Sequence, residues 1–229
     1  MALNYVAELP KPGPATEALN AFGEKIAALQ GLPSGIPVEV HIIPHESVQA
    51  FATLGGHILI YRGLLEKLRS EDELAALLAH QIAHLAGRHP VQALGKRVSV
   101  GMLLSVFSHD LAEDFARPSF HASLRTAPSF TRDHEIDTLR ATGATLISLY
   151  GHLGGAVDLS KSLRALATTR PEAIPRILES HPGLEHLDRD LQPVAQEQGW
   201  SLDNVDARRR PLAKVFTGAD TTPAGANQT

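Results

Sequence analysis

Among the 229 residues there is no cysteine. That absence rules out disulfides, thiolate catalysis and cysteine-rich zinc knuckles, and leaves histidine, carboxylate and water as metal ligands. A membrane-length apolar run is missing too. The best stretch, residues 98–107, is roughly half of the ~20 residues a spanning helix needs, and it reads as a buried helix. Residues 1–14 contain no basic segment leading into an apolar one, so no secretory signal is expected there. Net charge is −4 with histidine neutral, which gives no reason to expect nucleic-acid binding. The one basic cluster, Arg208 to Arg210, lies in a polar stretch and reads as solvated. No G-x-S-x-G elbow, Walker loop or dinucleotide fingerprint occurs, and no internal repeat. The chain as given reads as soluble, with compartment and oligomeric state left open.

What is present is ordinary globular material, 43% apolar and 20% charged, enough for a sizeable core. Leu19, Phe22, Ile26 and Leu29 recur at three- and four-residue spacing and predict a helix over 16–30. Val38, Val40 and Ile42 alternate with Glu39 and His41, a strand pattern, and His57 to Tyr61 supplies a second run after the turn residues Gly55-Gly56. Together they predict a small antiparallel sheet. Ser70-Glu71-Asp72-Glu73 forms a capping box for a helix that continues through Leu74, Leu77, Leu78, Ile82 and Leu85 to about Arg88. A second helix is expected from Pro90, a loop or broken helix over 109–129, and a long helix over 131–150. Shorter helices follow at 160–168, 171–178 and 183–197. The expected fold is α+β, mainly helical, with one domain over 1–199 and a polar, partly disordered tail over 200–229.

His80 and His84 lie four apart inside the capped helix. Four residues advance about 400°, so the rings share one face, as two ligands of a single tetrahedral ion must. Spacing alone is weak evidence, because twelve histidines make such a pair ordinary. His41 and His45 are also four apart, but Pro44 and the strand alternation deny them a helical face. What favours His80 and His84 is the capped amphipathic helix, with Ala79, Ala83 and Ala86 leaving room around the rings.

Four segments occur in a telling order: Ala50-Phe51-Ala52 with Gly55-Gly56-His57-Ile58-Leu59-Ile60-Tyr61-Arg62-Gly63-Leu64-Leu65, then Glu73 through Ala79-His80-Gln81-Ile82-Ala83-His84, then Phe130-Thr131-Arg132-Asp133-His134-Glu135, then Ser180-His181-Pro182. In this order the chain resembles the gluzincin metallopeptidase family that includes HtpX and the CAAX prenyl endopeptidases, over about residues 15–195. The resemblance implies a zincin-like domain built on an H-x-x-x-H helix and acting on polypeptides. It implies that His80, His84 and Glu135 bind Zn2+, with a position left open as catalytic zinc requires. It places Gln81 at the general-base position and His181 near the metal or the substrate, though as a bare loop histidine His181 equally reads as exposed. It implies that Gly56, His57, Ile58 and Leu59 belong to an edge strand that pairs with polypeptide backbone.

The chain departs from that pattern at four places. Gln81 stands where the family has the glutamate that takes a proton from the attacking water. An amide has no such basicity, and losing general-base catalysis typically costs on the order of 10²–10⁴ in rate. Thr138-Leu139 replaces Ala-Asp after the third ligand, so the carboxylate that would hydrogen-bond a histidine ligand from behind is absent. Asp137, about 200° round the helix from Glu135, is poorly placed to substitute. Gln49 and Leu54 replace an asparagine and a proline beside the strand. Three readings follow: a natural pseudopeptidase that binds polypeptide clients, an engineered inactive variant, and a divergent active enzyme. His134 points about 100° away from Glu135. His89, His109, His121, His152 and His186 have no partner at useful spacing and are expected at the surface.

Overall fold

The computed structural model describes residues 13–97, 130–169, 176–203 and 212. The expectations for 98–107, 109–129 and 217–229, with His109 and His121, lie outside the described residues. So does the first part of the helix expected over 171–178.

Helix α1 (Pro14–Leu29) opens with proline in its first turn and buries Leu19, Gly23, Ile26 and Ala27. It ends at Gln30, whose side-chain amide donates to the Ala79 carbonyl and to the Thr145 hydroxyl, 2.8 and 3.1 Å away. Leu29, expected on the buried face, is 47% exposed.

Three strands follow: β1 (Glu39–Ile43), β2 (Ala50–Ala52) and β3 (His57–Tyr61). Their order is β1-β3-β2, with β3 parallel to β1 and antiparallel to β2. The sheet is therefore mixed: β1 and β3, the two strands expected to form an antiparallel sheet, are parallel, because β1 reaches β3 by a crossover that includes β2, and the antiparallel pairing is between β3 and β2, a strand the sequence did not show. Ile58 and Ile60 share the core face with Val40, Ala50 and Ala52, all fully buried. The β2–β3 connection needs glycine at 56, where φ is +86° and a Cβ would lie 1.8 Å from the Pro37 carbonyl oxygen.

After the short helix α2 (Arg62–Leu65) comes α3 (Glu71–Ala86), buried almost all round, as befits a helix enclosed by others. The Ser70 side chain caps it by accepting from the Glu73 N–H. Glu73 reaches back one residue further than the sequence suggests, accepting from the Arg69 N–H at 2.8 Å. Around α3 pack α1, β2, α5 (Arg132–Tyr150) and α6 (Gly154–Thr169). A left-handed residue, Arg88 at φ +54°, turns the chain from α3 into α4 (His89–Arg97).

Helix α6 begins at Gly154 rather than near Ser160, because Gly155 lets it lie directly on the Asp72 carbonyl. α7 (Arg176–Ser180) precedes His181. The single helix expected over 183–197 is broken into a 3-10 turn, α8 (Leu187–Asp190) and α9 (Gln192–Gln198). Pro193 sits in the first turn of α9, a position that suits a residue without an N–H. Trp200, Leu202 and Leu212 pack against the core. No described helix is long and apolar enough to cross a membrane.

Candidate metal centre

Two helices supply the centre. α3 carries His80 and His84 on one face, and the N-terminal turn of α5 brings Glu135 to them. Thr131 caps α5 by accepting from the His134 N–H, which fixes where Glu135 emerges. The His80 and His84 Nε2 atoms are 3.1 Å apart, and each lies 3.4 Å from a different oxygen of Glu135. Ligands about 2.0–2.1 Å from a tetrahedral ion stand about 3.3 Å from one another, so the spacing is that of a metal's coordination shell.

Burial makes the same point. His80 and His84 are fully buried and Glu135 is 4% exposed, yet neither carboxylate oxygen has a hydrogen-bond partner among the described residues. A buried carboxylate without donors is costly, and a cation between it and the two imidazoles removes that cost. The donor set therefore fits a divalent metal. Burial pushes the Glu135 carboxyl up, but the neighbouring His80, first, and His181 outweigh it and hold the group below its ordinary value. Burial, with His80, His89 and His134 close by, drives His84 well below the usual imidazole range, so its ring is neutral. Gly183 closes over Glu135, for a Cβ there would lie 2.8 Å from Oε2.

His181 reaches the same place from the loop after α7. Its ring nitrogens, with those of His80 and His84, include one set of atoms all within 4.8 Å of one another, and all three residues are buried. The three histidines thus form a group able to bind a metal. Burial, chiefly, with His84 and His80, holds His181 well below its ordinary value. Its Nδ1 lies 2.9 Å from Ser180 Oγ and its Nε2 lies 3.3 Å from the Gln81 amide nitrogen. Ser180 Oγ itself donates to the Ile177 carbonyl. His181 Nδ1 therefore carries the hydrogen and Nε2 accepts from Gln81. At its other end, the Gln81 carbonyl accepts from the Ala52 N–H at 2.9 Å, tying α3 to β2.

Behind the ligands stand residues whose part the sequence reading missed. Thr138 Oγ lies 3.3 Å from His80 Nδ1, on the side away from the centre. His84 Nδ1 lies 3.0 Å from His89 Nδ1, and the His89 ring stacks on His134 at 4.3 Å, with 7° between planes. His134 Nε2 contacts Gln92 Oε1 at 3.0 Å, and the Gln92 amide donates to the Gly87 carbonyl. Phe130 stacks on the other face of His84 at 3.9 Å.

These positions fall within a matched family profile. The profile of Peptidase family M48 matches residues 15–186, well over half of the chain. The chain belongs to peptidase family M48. Among its M48 relatives is the mitochondrial metalloendopeptidase OMA1 of Schizosaccharomyces pombe, 34% identical over 106 residues, which are 45% of this chain and 31% of the relative. Another is the beta-barrel assembly-enhancing protease of Yersinia pestis, 29% identical over 79 residues, 34% of this chain and 16% of the relative. The OMA1 of Arabidopsis thaliana is 28% identical over 103 residues, 45% of this chain and 21% of the relative. The matched segments thus span less than a third of each of these proteins.

Against the M48 expectations, the structure brings His80, His84, Glu135, Gln81 and His181 together. It does not put Gly56, His57, Ile58 and Leu59 on an edge. β3 is the middle strand, hydrogen-bonded on both sides, so its backbone has no free side for an added strand. The strand beside α3 is β2, held there by Ala52. The mistake came from the short length of β2: three residues are too few to show alternation. His89, expected at the surface, is 3% exposed, and His152 is also 3% exposed, its Nε2 lying 3.8 Å from Asp72. His186 is partly exposed.

Proposed function

We propose that this M48 domain holds a zinc ion between His80, His84 and Glu135 and engages polypeptide without cleaving it efficiently. The observation that carries the reading is the state of Gln81. Its amide is fully buried and both ends are engaged, the carbonyl by the Ala52 N–H and the NH2 by His181. A carboxylate at that position would take the proton of the attacking water; the amide offers no such basicity.

Zinc in such a centre supplies Lewis-acid polarisation of a carbonyl and lowers the pKa of water. The chain's own residues do the rest of what is left. Thr138 and His89 hold the two imidazoles with Nε2 turned toward Glu135. His181, kept neutral by burial, takes its hydrogen bond from Gln81 rather than leaving that nitrogen open for proton transfer. Polypeptide is the class of ligand suggested by the protease and metalloendopeptidase relatives.

The test compares wild type with Gln81→Glu. Zinc is counted by mass spectrometry, casein hydrolysis is followed, and binding of fluorescent unfolded peptides is measured. Stoichiometric zinc, background hydrolysis and measurable peptide binding are expected of the wild type. A gain of about 10²–10⁴ in hydrolysis for Gln81→Glu assigns the defect to the missing base alone. Robust hydrolysis by wild type, or no zinc in either protein, overturns the reading.

A further inference from the structure

A second convergence of ligand-type side chains lies on the sheet, on the face turned away from the core. The parallel register sets Glu39 directly opposite His57, and His41 follows two residues after Glu39, on the same face. Glu39 Oε2 is 3.3 Å from His57 Nδ1 and 3.8 Å from His41 Nε2, and the two ring nitrogens are 3.1 Å apart. Three potential ligand atoms thus form one small triangle.

Hydrogen bonding does not satisfy that triangle. All three close approaches involve the same three atoms, and each ring nitrogen there carries either one hydrogen or one lone pair. A single hydrogen leaves two lone pairs facing each other along one edge, and two hydrogens face each other across the 3.1 Å edge, so the three contacts are never all hydrogen bonds at once. A cation at the centre satisfies all three. The edges again lie near the roughly 3.3 Å expected for ligands of a tetrahedral first-row ion. Burial, first, and the neighbouring His57 hold the His41 ring below its ordinary value against the pull of Glu39, which keeps its lone pair available. The rings are mostly shielded, at 15% and 18% exposure, while the carboxylate is 51% exposed, so the site is open on one side. The far edge of the His57 ring rests on the bare backbone of Gly55, where a Cβ would stand 3.3 Å from Cδ2 and Nε2, and this turns Nδ1 toward His41.

We propose that Glu39, His41 and His57 form a second divalent-metal site, for a first-row ion that favours imidazole, such as Zn2+, Ni2+ or Cu2+. The ion bridges β1 and β3 with its remaining coordination open to solvent. The site shares no residue with the α3–α5 centre and does not depend on how that centre is read.

The test uses the full chain, stripped with chelator and dialysed against zinc buffered to micromolar free concentration. Bound zinc is then counted for wild type, His41→Ala, His57→Ala, Glu39→Gln and the double variant His80→Ala/His84→Ala. Each of the three sheet variants is expected to bind one ion fewer than wild type. The double variant is expected to keep an ion that His57→Ala then removes. Zinc is also expected to raise the melting temperature of the double variant, with the rise abolished by His57→Ala. An unchanged count in the three sheet variants overturns the proposal. So does an ion that enters the double variant only at millimolar zinc, which is adventitious binding. Failure of the α3–α5 centre reads out separately, as a count that the double variant does not lower.

Discussion

The Thr138 hydroxyl lies between the His80 imidazole and its own helix, 3.3 Å from His80 Nδ1 and 2.7 Å from the Glu135 backbone carbonyl. Its hydrogen goes to the carbonyl, so its oxygen accepts from His80 Nδ1–H. That fixes the tautomer with a lone pair on Nε2, aimed at Glu135. The hydroxyl thus does from position 138 what a carboxylate at 139 was expected to do. Thr138→Val keeps the shape and removes the acceptor. Zinc affinity, measured by competition with a chromophoric chelator, is expected to weaken by about 10–100-fold. Unchanged affinity would show that the hydroxyl only serves the helix.

His89 plays the matching part for His84. Their Nδ1 atoms are 3.0 Å apart, and His84 donates if its Nε2 is to face the metal. His89→Ala leaves that donor buried without a partner, and a loss of about 10–100-fold in zinc affinity is expected. His89→Asn, with a side-chain carbonyl at similar reach, is expected to recover part of it. Equal losses in both variants would point to packing against His134 instead.

Removing the metal exposes what Glu135 costs. With no hydrogen-bond partner for either oxygen among the described residues, the carboxylate would depend on the proposed cation, and ligand binding to the folded state alone raises stability by mass action. Wild type is expected to melt lower after chelator treatment, by calorimetry. In Glu135→Gln the drop is expected to shrink to the part that the sheet site of Glu39, His41 and His57 supplies, the uncharged amide being cheaper to bury. A chelator-induced drop of wild-type size in Glu135→Gln would place the metal elsewhere.

Glu73 gives a pH dependence that does not involve the metal. Burial, above all, raises its carboxyl from the ordinary value despite hydrogen bonds from the Arg69 N–H and the Ser162 hydroxyl. A carboxyl whose folded pKa lies above the unfolded one contributes its full stability below about 4.5 and loses it as pH rises through the folded value. Glu73→Gln does not titrate. The stability of the variant relative to wild type, from urea melts, is therefore expected to grow from pH 4.5 toward pH 8. A difference that shrinks over that range would reverse the sign assigned to Glu73.

The sequence reading succeeded where periodicity and chemistry coincide. The α3 register followed from Leu74, Leu77, Leu78 and Ile82, all fully buried, and with that register His80 and His84 had to share a face. The helix expected over 131–150 is α5, and the structure shows Thr131 as its cap. Less visible was anything decided by long-range pairing. β1 and β3 read as neighbours, which they are, but strand direction depends on where β2 enters, and alternation carries no information about that. The residues behind the imidazoles were missed for a similar reason. His89 follows a left-handed turn at Arg88, and once a chain doubles back, spacing along it no longer reports distance. Thr138 is an unremarkable helix residue until α3 is packed against α5.

Gln30 belongs to neither ligand helix, yet its amide holds both: Ala79, one residue before His80, and Thr145, further along the helix that carries Glu135. The gap a cation must fill is thus gauged partly from α1. By reciprocity, an ion that draws the two halves together also tightens the seat of α1. Loading the centre then slows amide exchange in a segment that lends it no donor atom.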